Sequence, residues 1–236
     1  NALVRLWEDV SYRKMYITGG IAAINDGVSF RGDHVREAFG FRYQLPNAIA
    51  YNETCANVAH AMWSWRMLGV SGEARYADVI EQVLYNSVLS GWGLDGETYC
   101  YVNVLRRFGK EDRLLRNDSF ARWPSTTTPG APNCYCCPPN VTRTIAELGG
   151  WAYGWSDKAV WVHLYGGNRL KSVLPDGTAV DLVQETAYPW QGLVKFTVNQ
   201  PAGKEFGLML RIPGWSHHPS LKINGKSAGM ALKPQS

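Results

Sequence analysis

The sequence lacks a long hydrophobic run and any segment dominated by charge of one sign. No stretch approaches the roughly 18 apolar residues of a membrane-spanning helix, so we expect no membrane partner. Charged residues form only 19% of the chain, with 24 Lys and Arg against 20 Asp and Glu. The densest basic group, residues 106–116, is interrupted by Glu111 and Asp112. Since a nucleic-acid-binding domain needs a denser basic stripe, we expect no nucleic-acid partner.

The N-terminal segment lacks a starting methionine and the basic-then-apolar pattern of a secretory signal peptide. Residues 1–9 are typical of the middle of a helix, and we expect the chain to be a fragment of a longer protein. Reduced thiols suit a reducing compartment, so we expect a cytoplasmic location. The sequence does not decide the oligomeric state, and a homo-oligomer of the full-length form stays open.

Cysteines are few and unevenly placed. There are five, an odd number, and three of them lie in Cys134-Tyr135-Cys136-Cys137. Neighbouring cysteines pair poorly because a vicinal disulfide needs a strained geometry. An odd, clustered set in a chain of this size favours a metal site or catalysis over a disulfide framework. Cys100 is isolated in a strand-like segment, and we assign it no function.

The first 155 residues predict helices joined by long connections. Residues 54–68 are predicted to form one helix, and another is expected after Pro138-Pro139-Asn140. Between 74 and 90 the apolar residues keep one helical stripe. Its members are Tyr76, Val79, Ile80, Val83, Leu84 and Val88. The connections at 19–47, 91–109 and 117–137 are long enough to favour functional loops.

The pattern changes after Trp155, where short β-branched or aromatic segments alternate with turn residues. Strands are predicted at 159–165, 178–184, 192–198, 206–212 and 221–224. Their number and spacing indicate an antiparallel sandwich. We therefore predict a mainly α domain over residues 1–155 and a β domain over residues 156–236.

Glu53 and Cys55 lie at the start of one predicted helix, and Cys136 and Cys137 lie just before another. A helix N-terminus favours thiolate over thiol, but converging thiolates repel one another unless a cation neutralises them. Zinc suits these residue types, because it takes four ligands, prefers sulfur and accepts a carboxylate. Two alternatives stay open on spacing alone: a closed zinc site that only joins two helices, and buried free cysteines.

Glu37 is the second candidate for chemistry. It lies in the predicted loop after Gly19-Gly20 and close to Phe39 and Phe41. A carboxyl group near apolar side chains suits a general acid, although an isolated glutamate is more often a surface residue. The ten Trp and twelve Tyr of the chain fill cores first, but they also form the stacking walls of sugar sites.

Three motifs together resemble the β-L-arabinofuranosidases of glycoside hydrolase family 127. They are Glu37-Ala-Phe-Gly-Phe-Arg-Tyr-Gln-Leu-Pro-Asn47, Tyr51-Asn-Glu-Thr-Cys55 and Cys134-Tyr-Cys-Cys-Pro-Pro-Asn140. The resemblance implies an (α/α)6 barrel followed by β-sandwich domains. The chain would then supply the C-terminal half of the barrel and a truncated part of the sandwich, while the early barrel helices and their substrate-binding histidines would be absent.

The resemblance also implies roles for individual residues. Cys136 would be the nucleophile and Glu37 the acid/base, while Tyr101 would bind substrate near the nucleophile. A zinc ion would be ligated by Glu53, Cys55, Cys136 and Cys137. Cys134 occupies the family's first cysteine position but is not among the expected ligands.

The implied activity is retaining hydrolysis that releases β-L-arabinofuranose from arabinofuranosides. A retaining glycosidase needs a nucleophile at the anomeric carbon and a proton donor at the leaving oxygen. Zinc would keep the thiol deprotonated and stabilise it as a leaving group. Two alternatives remain: a structural zinc protein without activity, and a hydrolase of the same fold that acts on another sugar.

Overall fold

The structure is a computed structural model that describes residues 2–28, 31–106, 122–124, 135–199 and 204–236. Cys134 and most of the basic group at 106–116 lie outside these residues. Contacts within the chain divide it into two compact units. The first unit comprises Asn1–Val70 and Val79–Ala146, and the second comprises Ser71–Asp78 and Glu147–Ser236.

Helices dominate the first unit. The α-helices of the described residues are α1 (Ala2–Arg13), α2 (Thr54–Ser71), α3 (Ala74–Gln82) and α4 (Cys137–Trp151). α1 packs on α2 inside the first unit, where the buried indole of Trp7 donates a hydrogen bond of 3.0 Å to the Ser64 hydroxyl. The predicted helix at 54–68 and the one after Pro138-Pro139 are therefore confirmed.

The predicted stripe between 74 and 90 is buried at every one of its six positions. The backbone that carries it is less regular than expected, because α3 continues as a π-helix over Val83–Val88 and a 3₁₀ turn over Leu89–Gly91. Side-chain periodicity reports which face is buried, but it does not fix the hydrogen-bond spacing of the last turns.

The connection at 19–47 is not a plain loop, which corrects the prediction. It contains a hairpin of β1 (Ile24–Val28) and β2 (His34–Ala38), paired antiparallel with Ile24 opposite Ala38. Glu37 therefore lies on β2 and not in a loop. Its backbone φ of 50° is in the left-handed region, which short strands reach at a bend or bulge. These residues show no clear two-residue alternation that would reveal the hairpin.

A second short pairing follows in the first unit. β3 (Thr98–Cys100) pairs antiparallel with β4 (Arg122–Pro124), and the strand-like character expected around Cys100 is confirmed. A single bridge between Glu53 and Val102 holds the start of α2 against the segment after β3. This contact brings the Tyr51–Cys55 motif next to Tyr101.

The second unit contains most of the strands. They are β5 (Tyr153–Ser156), β6 (Ala159–Val162), β7 (Asn168–Val173), β8 (Ala179–Thr186), β9 (Val194–Val198), β10 (Gly207–Leu210), β11 (Lys222–Ile223) and β12 (Lys226–Ser227). β7, β8 and β9 form one antiparallel sheet, in the order given. The five predicted strands are present, though shorter or shifted, while β5, β7 and β12 were not predicted.

One sheet of the second unit departs from the predicted antiparallel pattern. Its order is β10-β6-β5, and β10 runs parallel to β6 with Gly207 opposite Ala159. A parallel pair requires a long crossover, which the chain supplies between β6 and β10. The core of the unit is formed by Tyr153, Val160, Val162, Tyr165, Leu174, Val180 and Leu182.

The short segment Ser71–Asp78 belongs to the second unit through a buried ion pair. One Asp78 oxygen accepts a hydrogen bond of 2.6 Å from Arg211, and the other accepts one of 3.1 Å from the backbone N–H of Gly214. Arg211 is itself buried and donates a further hydrogen bond of 2.6 Å to the His163 carbonyl. A charge buried in this way is tolerated because it is paired with an opposite charge and hydrogen-bonded.

Helices of the described residues are too short or too polar to span a membrane. The chain is mixed in helix and sheet, with mostly antiparallel sheets. An (α/α)6 barrel takes twelve helices, and the residues described here contain four α-helices. The barrel therefore stays a prediction of the family resemblance.

Candidate metal and catalytic site

Four side chains named from the sequence converge in the first unit. One donor atom from each of Glu53, Cys55, Cys136 and Cys137 lies within 4.8 Å of all the others. The Cys55 and Cys137 sulfurs are 3.5 Å apart, and the Cys136 and Cys137 sulfurs are 3.8 Å apart. The Cys136 sulfur lies 3.5 Å from Glu53 Oε1. A cluster of this composition could hold a metal ion.

The start of α2 positions Glu53 and Cys55. Thr54 fixes this start, because its hydroxyl donates a hydrogen bond of 2.7 Å to the Cys100 carbonyl and its N–H one of 3.0 Å to the Tyr101 carbonyl. The Asn103 amide reinforces the same pairing with hydrogen bonds of 2.9 Å to Asn52 O and Thr54 Oγ1. Two segments distant in sequence thus hold the Glu-Thr-Cys motif.

The start of α4 positions the other two cysteines. Cys137 is its first residue, and Pro138 and Pro139 follow in the first turn. Proline suits this turn because the first helical N–H groups have no partner within the helix. Both pairs of ligand candidates therefore lie at helix N-termini, where the helix dipole favours thiolate and carboxylate.

The three cysteines differ in exposure. Cys137 is fully buried, whereas Cys55 and Cys136 are half-buried. A nucleophile must be reached by its substrate, so Cys136 suits that role better than Cys137. The cysteines described here, including Cys100, are free thiols; Cys134 lies outside the described residues.

The pKa values of the Cys55 and Cys137 thiols are shifted in opposite directions. Their common hydrogen bond lowers the pKa of Cys55 to about 7, and the Asn140 amide contributes in the same direction. The same hydrogen bond raises the pKa of Cys137, and its burial adds to the increase. One negative charge, on the Cys55 sulfur, is therefore stabilised. A second thiolate in the cluster would be repelled by it.

The donor set fits a tetrahedral metal ion. Ligands at a zinc–sulfur distance of about 2.3 Å in a tetrahedron lie roughly 3.8 Å from one another. The sulfur separations of 3.5 and 3.8 Å are close to this value. Three sulfurs and one carboxylate oxygen are also a ligand set that zinc accepts.

Two residues outside the cluster hold the Cys55 sulfur. The Asn140 side-chain N–H₂ donates to it over 3.1 Å. The Arg143 guanidinium donates a hydrogen bond of 2.8 Å to Asn140 Oδ1. Because Arg143 can only donate, the amide oxygen must face it and the amide nitrogen must face the sulfur. The contact between Asn140 and Cys55 is therefore oriented and not accidental.

Glu37 is joined to the cluster through Tyr51. The Tyr51 hydroxyl lies 2.9 Å from Glu37 Oε1 and 2.9 Å from Glu53 Oε2. Burial raises the pKa of Tyr51, a hydrogen bond with Tyr101 opposes this increase, and the two carboxylates add to it, so the side chain is a neutral phenol. The structure thus brings the sequence-predicted Glu37 near the other candidates, although it lies 16 residues or more from them in sequence.

Tyr101 lies beside this group. Its ring centroid is 6.3 Å from that of Tyr51, at an interplanar angle of 60°. The pairing of its backbone carbonyl with Thr54 fixes its position relative to α2. Its side chain is half-buried, so part of the ring is exposed.

Close packing near the motif explains the glycine at position 20. A Cβ atom on Gly20 would lie 2.0 Å from the Asn52 amide oxygen, which real structures do not permit. Asn52 itself has a φ of 45° and is buried, with its amide bound to the Asn103 carbonyl at 2.9 Å. Left-handed backbone is uncommon outside glycine, and asparagine is among the residues that adopt it most readily.

Histidine is not part of the described cluster. His60 is buried in the first unit, with Nε2 3.0 Å from the Ser11 hydroxyl and Nδ1 3.3 Å from the Gly19 carbonyl. His34 is exposed on β2. Neither side chain contributes to the cluster of donor atoms formed by Glu53, Cys55, Cys136 and Cys137.

Sequence reasoning missed three residues at this site: Tyr51, Asn140 and Arg143. Tyr51 and Asn140 lie inside the recognised motifs, so their positions were visible but their roles were not. Arg143 lies one helical turn after Asn140, and i, i+3 spacing places the two side chains on one face of α4. This spacing is the feature of the sequence that could have identified Arg143.

Comparison with known proteins gives the same assignment along the chain. The family model described as "Beta-L-arabinofuranosidase, GH127 catalytic domain" matches residues 1–150. The model described as "Beta-L-arabinofuranosidase, GH127 middle domain" matches residues 159–236. The chain therefore belongs to glycoside hydrolase family 127.

A curated relative and solved structures are similar to nearly the whole chain. The "Non-reducing end beta-L-arabinofuranosidase" of Bifidobacterium longum subsp. longum is 36% identical over 241 residues, which cover 97% of this chain and 33% of that protein. A solved structure described as "Glycoside hydrolase" is 41% identical, with a TM-score of 0.86, over 98% of this chain and 38% of its own.

A crystal structure of a GH127 beta-L-arabinofuranosidase from Geobacillus stearothermophilus T6 is 40% identical with a TM-score of 0.80. The match covers 97% of this chain and 34% of that one. The chain thus spans about a third of the length of the relatives it matches.

Proposed function

We propose that the full-length protein is a retaining glycosidase that releases β-L-arabinofuranose from arabinofuranosides. The proposal is supported by the names of the relatives and by one observation in this chain. That observation is the convergence of Glu53, Cys55, Cys136 and Cys137, with Glu37 joined to Glu53 through one hydroxyl group. A protein that used the cysteines only to join helices would have no need of Glu37.

The proposed cofactor is one zinc ion, held by Glu53, Cys55, Cys136 and Cys137. The donor types and the sulfur separations of 3.5 and 3.8 Å support this choice. When bound, zinc supplies the positive charge that keeps the thiols deprotonated at neutral pH and makes a thiolate a better leaving group.

Cys136 is the proposed nucleophile and Glu37 the proposed acid/base. In the first step the Cys136 sulfur attacks the anomeric carbon while Glu37 gives its proton to the leaving oxygen, so that the glycosidic bond breaks. In the second step Glu37 takes a proton from water, and the water oxygen displaces the sulfur. Two displacements at one carbon return the original configuration, which makes the enzyme retaining.

The remaining parts of the proposal concern substrate and domains. Tyr101 offers a half-buried aromatic ring beside Tyr51 and would contact the sugar. We further propose that residues 1–155 are part of an (α/α)6 barrel and that residues 156–236 begin a β-sandwich. The partner of the site is a carbohydrate.

The proposal is tested by assaying the full-length protein on a panel of nitrophenyl glycosides that differ in sugar and anomeric configuration. We expect turnover of the β-L-arabinofuranoside above all others, and one zinc ion per chain by plasma mass spectrometry. Early product sampled by NMR should keep the β configuration. Turnover of a different sugar would favour another substrate on the same fold, and zinc without any turnover would favour a structural zinc protein.

A further inference from the structure

Tyr51 is the one side chain that touches both carboxylates of the site among the described hydrogen bonds. Its hydroxyl oxygen lies 2.9 Å from Glu37 Oε1 and 2.9 Å from Glu53 Oε2. Tyr51 is only 3% exposed, and its ring packs near that of Tyr101. A buried hydroxyl of this kind is fixed in place, so the two carboxylate oxygens are held within two hydrogen-bond lengths of each other.

The two oxygens of Glu53 have different partners. Oε1 lies 3.5 Å from the Cys136 sulfur, and Oε2 lies against the Tyr51 hydroxyl. A carboxylate can rotate about its terminal bond, because that torsion is broad. Because Oε1 faces the Cys136 sulfur, Oε2 is the oxygen that anchors the Tyr51 hydroxyl.

Glu37 needs an external restraint more than Glu53 does. It is exposed on the short strand β2, and its φ of 50° gives it a backbone conformation that few side chains adopt. An exposed glutamate side chain ordinarily samples several rotamers. The hydrogen bond to buried Tyr51 limits this sampling and directs the carboxyl group toward the cysteine cluster.

We propose that Tyr51 is a positioning residue that links the acid/base Glu37 to Glu53 and holds the Glu37 carboxyl group in the orientation required for catalysis. This inference rests on the proposed function, since it gives Tyr51 a role only if Glu37 transfers the proton. It assigns no direct contact between Tyr51 and the reacting atoms. Tyr51 acts through Glu37.

The single hydrogen of the Tyr51 hydroxyl limits how it can bind two carboxylates. A phenol hydroxyl has one hydrogen, so it donates to one carboxylate at a time. When Tyr51 donates to Glu53, its contact with Glu37 is a hydrogen bond only if Glu37 brings the hydrogen. Tyr51 can then accept it, because its oxygen is also an acceptor. The bridge is thus complete in the form of Glu37 that begins the reaction, with the proton still to be given.

The first test replaces Tyr51 by phenylalanine in the full-length protein, which removes the hydroxyl and keeps the ring. We expect kcat to fall roughly 10- to 100-fold on glycosides with alkyl leaving groups, the scale of a misplaced catalytic group. The fall should be smaller for nitrophenyl leaving groups, which need little protonation, and KM should change little. Zinc content should stay at the wild-type value, because Oε1 of Glu53 remains available.

The decisive test is a double-mutant cycle of Tyr51→Phe with Glu37→Gln. If Tyr51 acts through Glu37, Tyr51→Phe should cost less than about twofold in the Glu37→Gln background, because the group it positions is already gone. A purely structural role would give the same loss in both backgrounds and would overturn the inference. Loss of zinc from Tyr51→Phe would overturn it as well.

Tyr16→Phe is the matched control. Tyr16 is also buried in the first unit, and its hydroxyl donates a hydrogen bond of 3.0 Å to the Pro46 carbonyl. This variant should show neither the loss of kcat nor the dependence on the leaving group. If Glu37→Gln alone keeps full activity, the proposed function fails; if Glu37→Gln is impaired but Tyr51→Phe is not, only the present inference fails.

Discussion

The side-chain nitrogen of Asn140 lies 3.1 Å from the sulfur of Cys55, and its orientation is set by a neighbouring arginine. Arg143 donates to the Asn140 oxygen over 2.8 Å, so the amide presents its N–H₂ group to the sulfur. The pKa of Cys55 is lowered to about 7, chiefly by its hydrogen bond with Cys137 and further by the Asn140 N–H donor, which stabilises a thiolate. Residues that orient and polarise a ligand are a regular part of metal sites.

Asn140→Asp should weaken metal binding without changing the size of the side chain. The carboxylate would accept the hydrogen bond from Arg143, but it would turn a negative oxygen to the Cys55 sulfur. We expect zinc affinity to fall roughly 10- to 100-fold, the usual effect of a lost outer partner. Competition with a chromogenic chelator measures this. Asn86→Asp, an exposed position, is the control and should leave affinity unchanged.

Glu37→Gln should keep the fold and the zinc, because the amide is nearly isosteric and Glu37 is not a proposed ligand. Cleavage of natural arabinofuranosides should fall by roughly 10²–10⁴, the scale of a general acid/base. The loss should be smaller on nitrophenyl substrates. Steady-state kinetics on both substrate types checks this, with exposed Glu97→Gln as a control. Wild-type rates on natural glycosides would remove Glu37 from the mechanism.

Cys136→Ser should abolish turnover on every substrate, activated or not, because it removes the nucleophile together with a ligand. Cys100→Ser makes the same atom exchange outside the cluster and should leave turnover intact. The comparison is made with nitrophenyl β-L-arabinofuranoside, in protein matched for folding by circular dichroism. Residual turnover by Cys136→Ser that exceeds that of the zinc-free protein would assign the nucleophile elsewhere.

Acid should destabilise the protein through His60. Burial lowers the pKa of His60 to about 4, whereas an unfolded histidine titrates near 6.5. Between these values the unfolded chain binds more protons, so stability falls as pH falls from about 6.5 to about 4. The upper limit of the loss is about 3 kcal/mol. His163, whose pKa is also lowered to about 4 by burial and then by Arg211, acts in the same direction.

The measurement is the difference in Tm of the full-length protein between pH 7 and pH 5, for the wild type and for His60→Gln. Glutamine can make hydrogen bonds in place of the imidazole, but its amide does not bind a proton in this pH range. The variant should be less stable at pH 7 and should lose less stability on acidification. An equal pH dependence in both proteins would contradict the assignment to His60.

Asp78→Asn should destabilise the second unit, because it leaves the buried Arg211 charge without its counter-ion. Removing one partner of a buried pair costs about 3 kcal/mol. Urea unfolding, followed by tryptophan fluorescence, measures the change. The control is Asp181→Asn, which removes the exposed pair with Arg169 and should change stability little. Similar effects of the two variants would show that burial does not distinguish these pairs.

Local patterns predicted the helices well. The spacing of Val79, Ile80 and Val83 predicted which face of the helix is buried, and all three are buried. The same reasoning failed at β2, where five residues of mixed polarity show no alternation. It predicted β10 as a strand, but not its parallel pairing with β6, which is distant in sequence. Register and partner choice depend on contacts that no local window contains.

The sequence by itself determined the family and the chemical types at the site: three thiols and two carboxylates, with the thiols and Glu53 at helix starts. It could do so because motifs are local and residue chemistry does not depend on the fold. The tertiary structure alone decided that Tyr51 bridges Glu37 and Glu53, and that Arg143 turns the Asn140 amide toward Cys55. Hydrogen bonds require distances near 3 Å, and only folding brings such distant residues together.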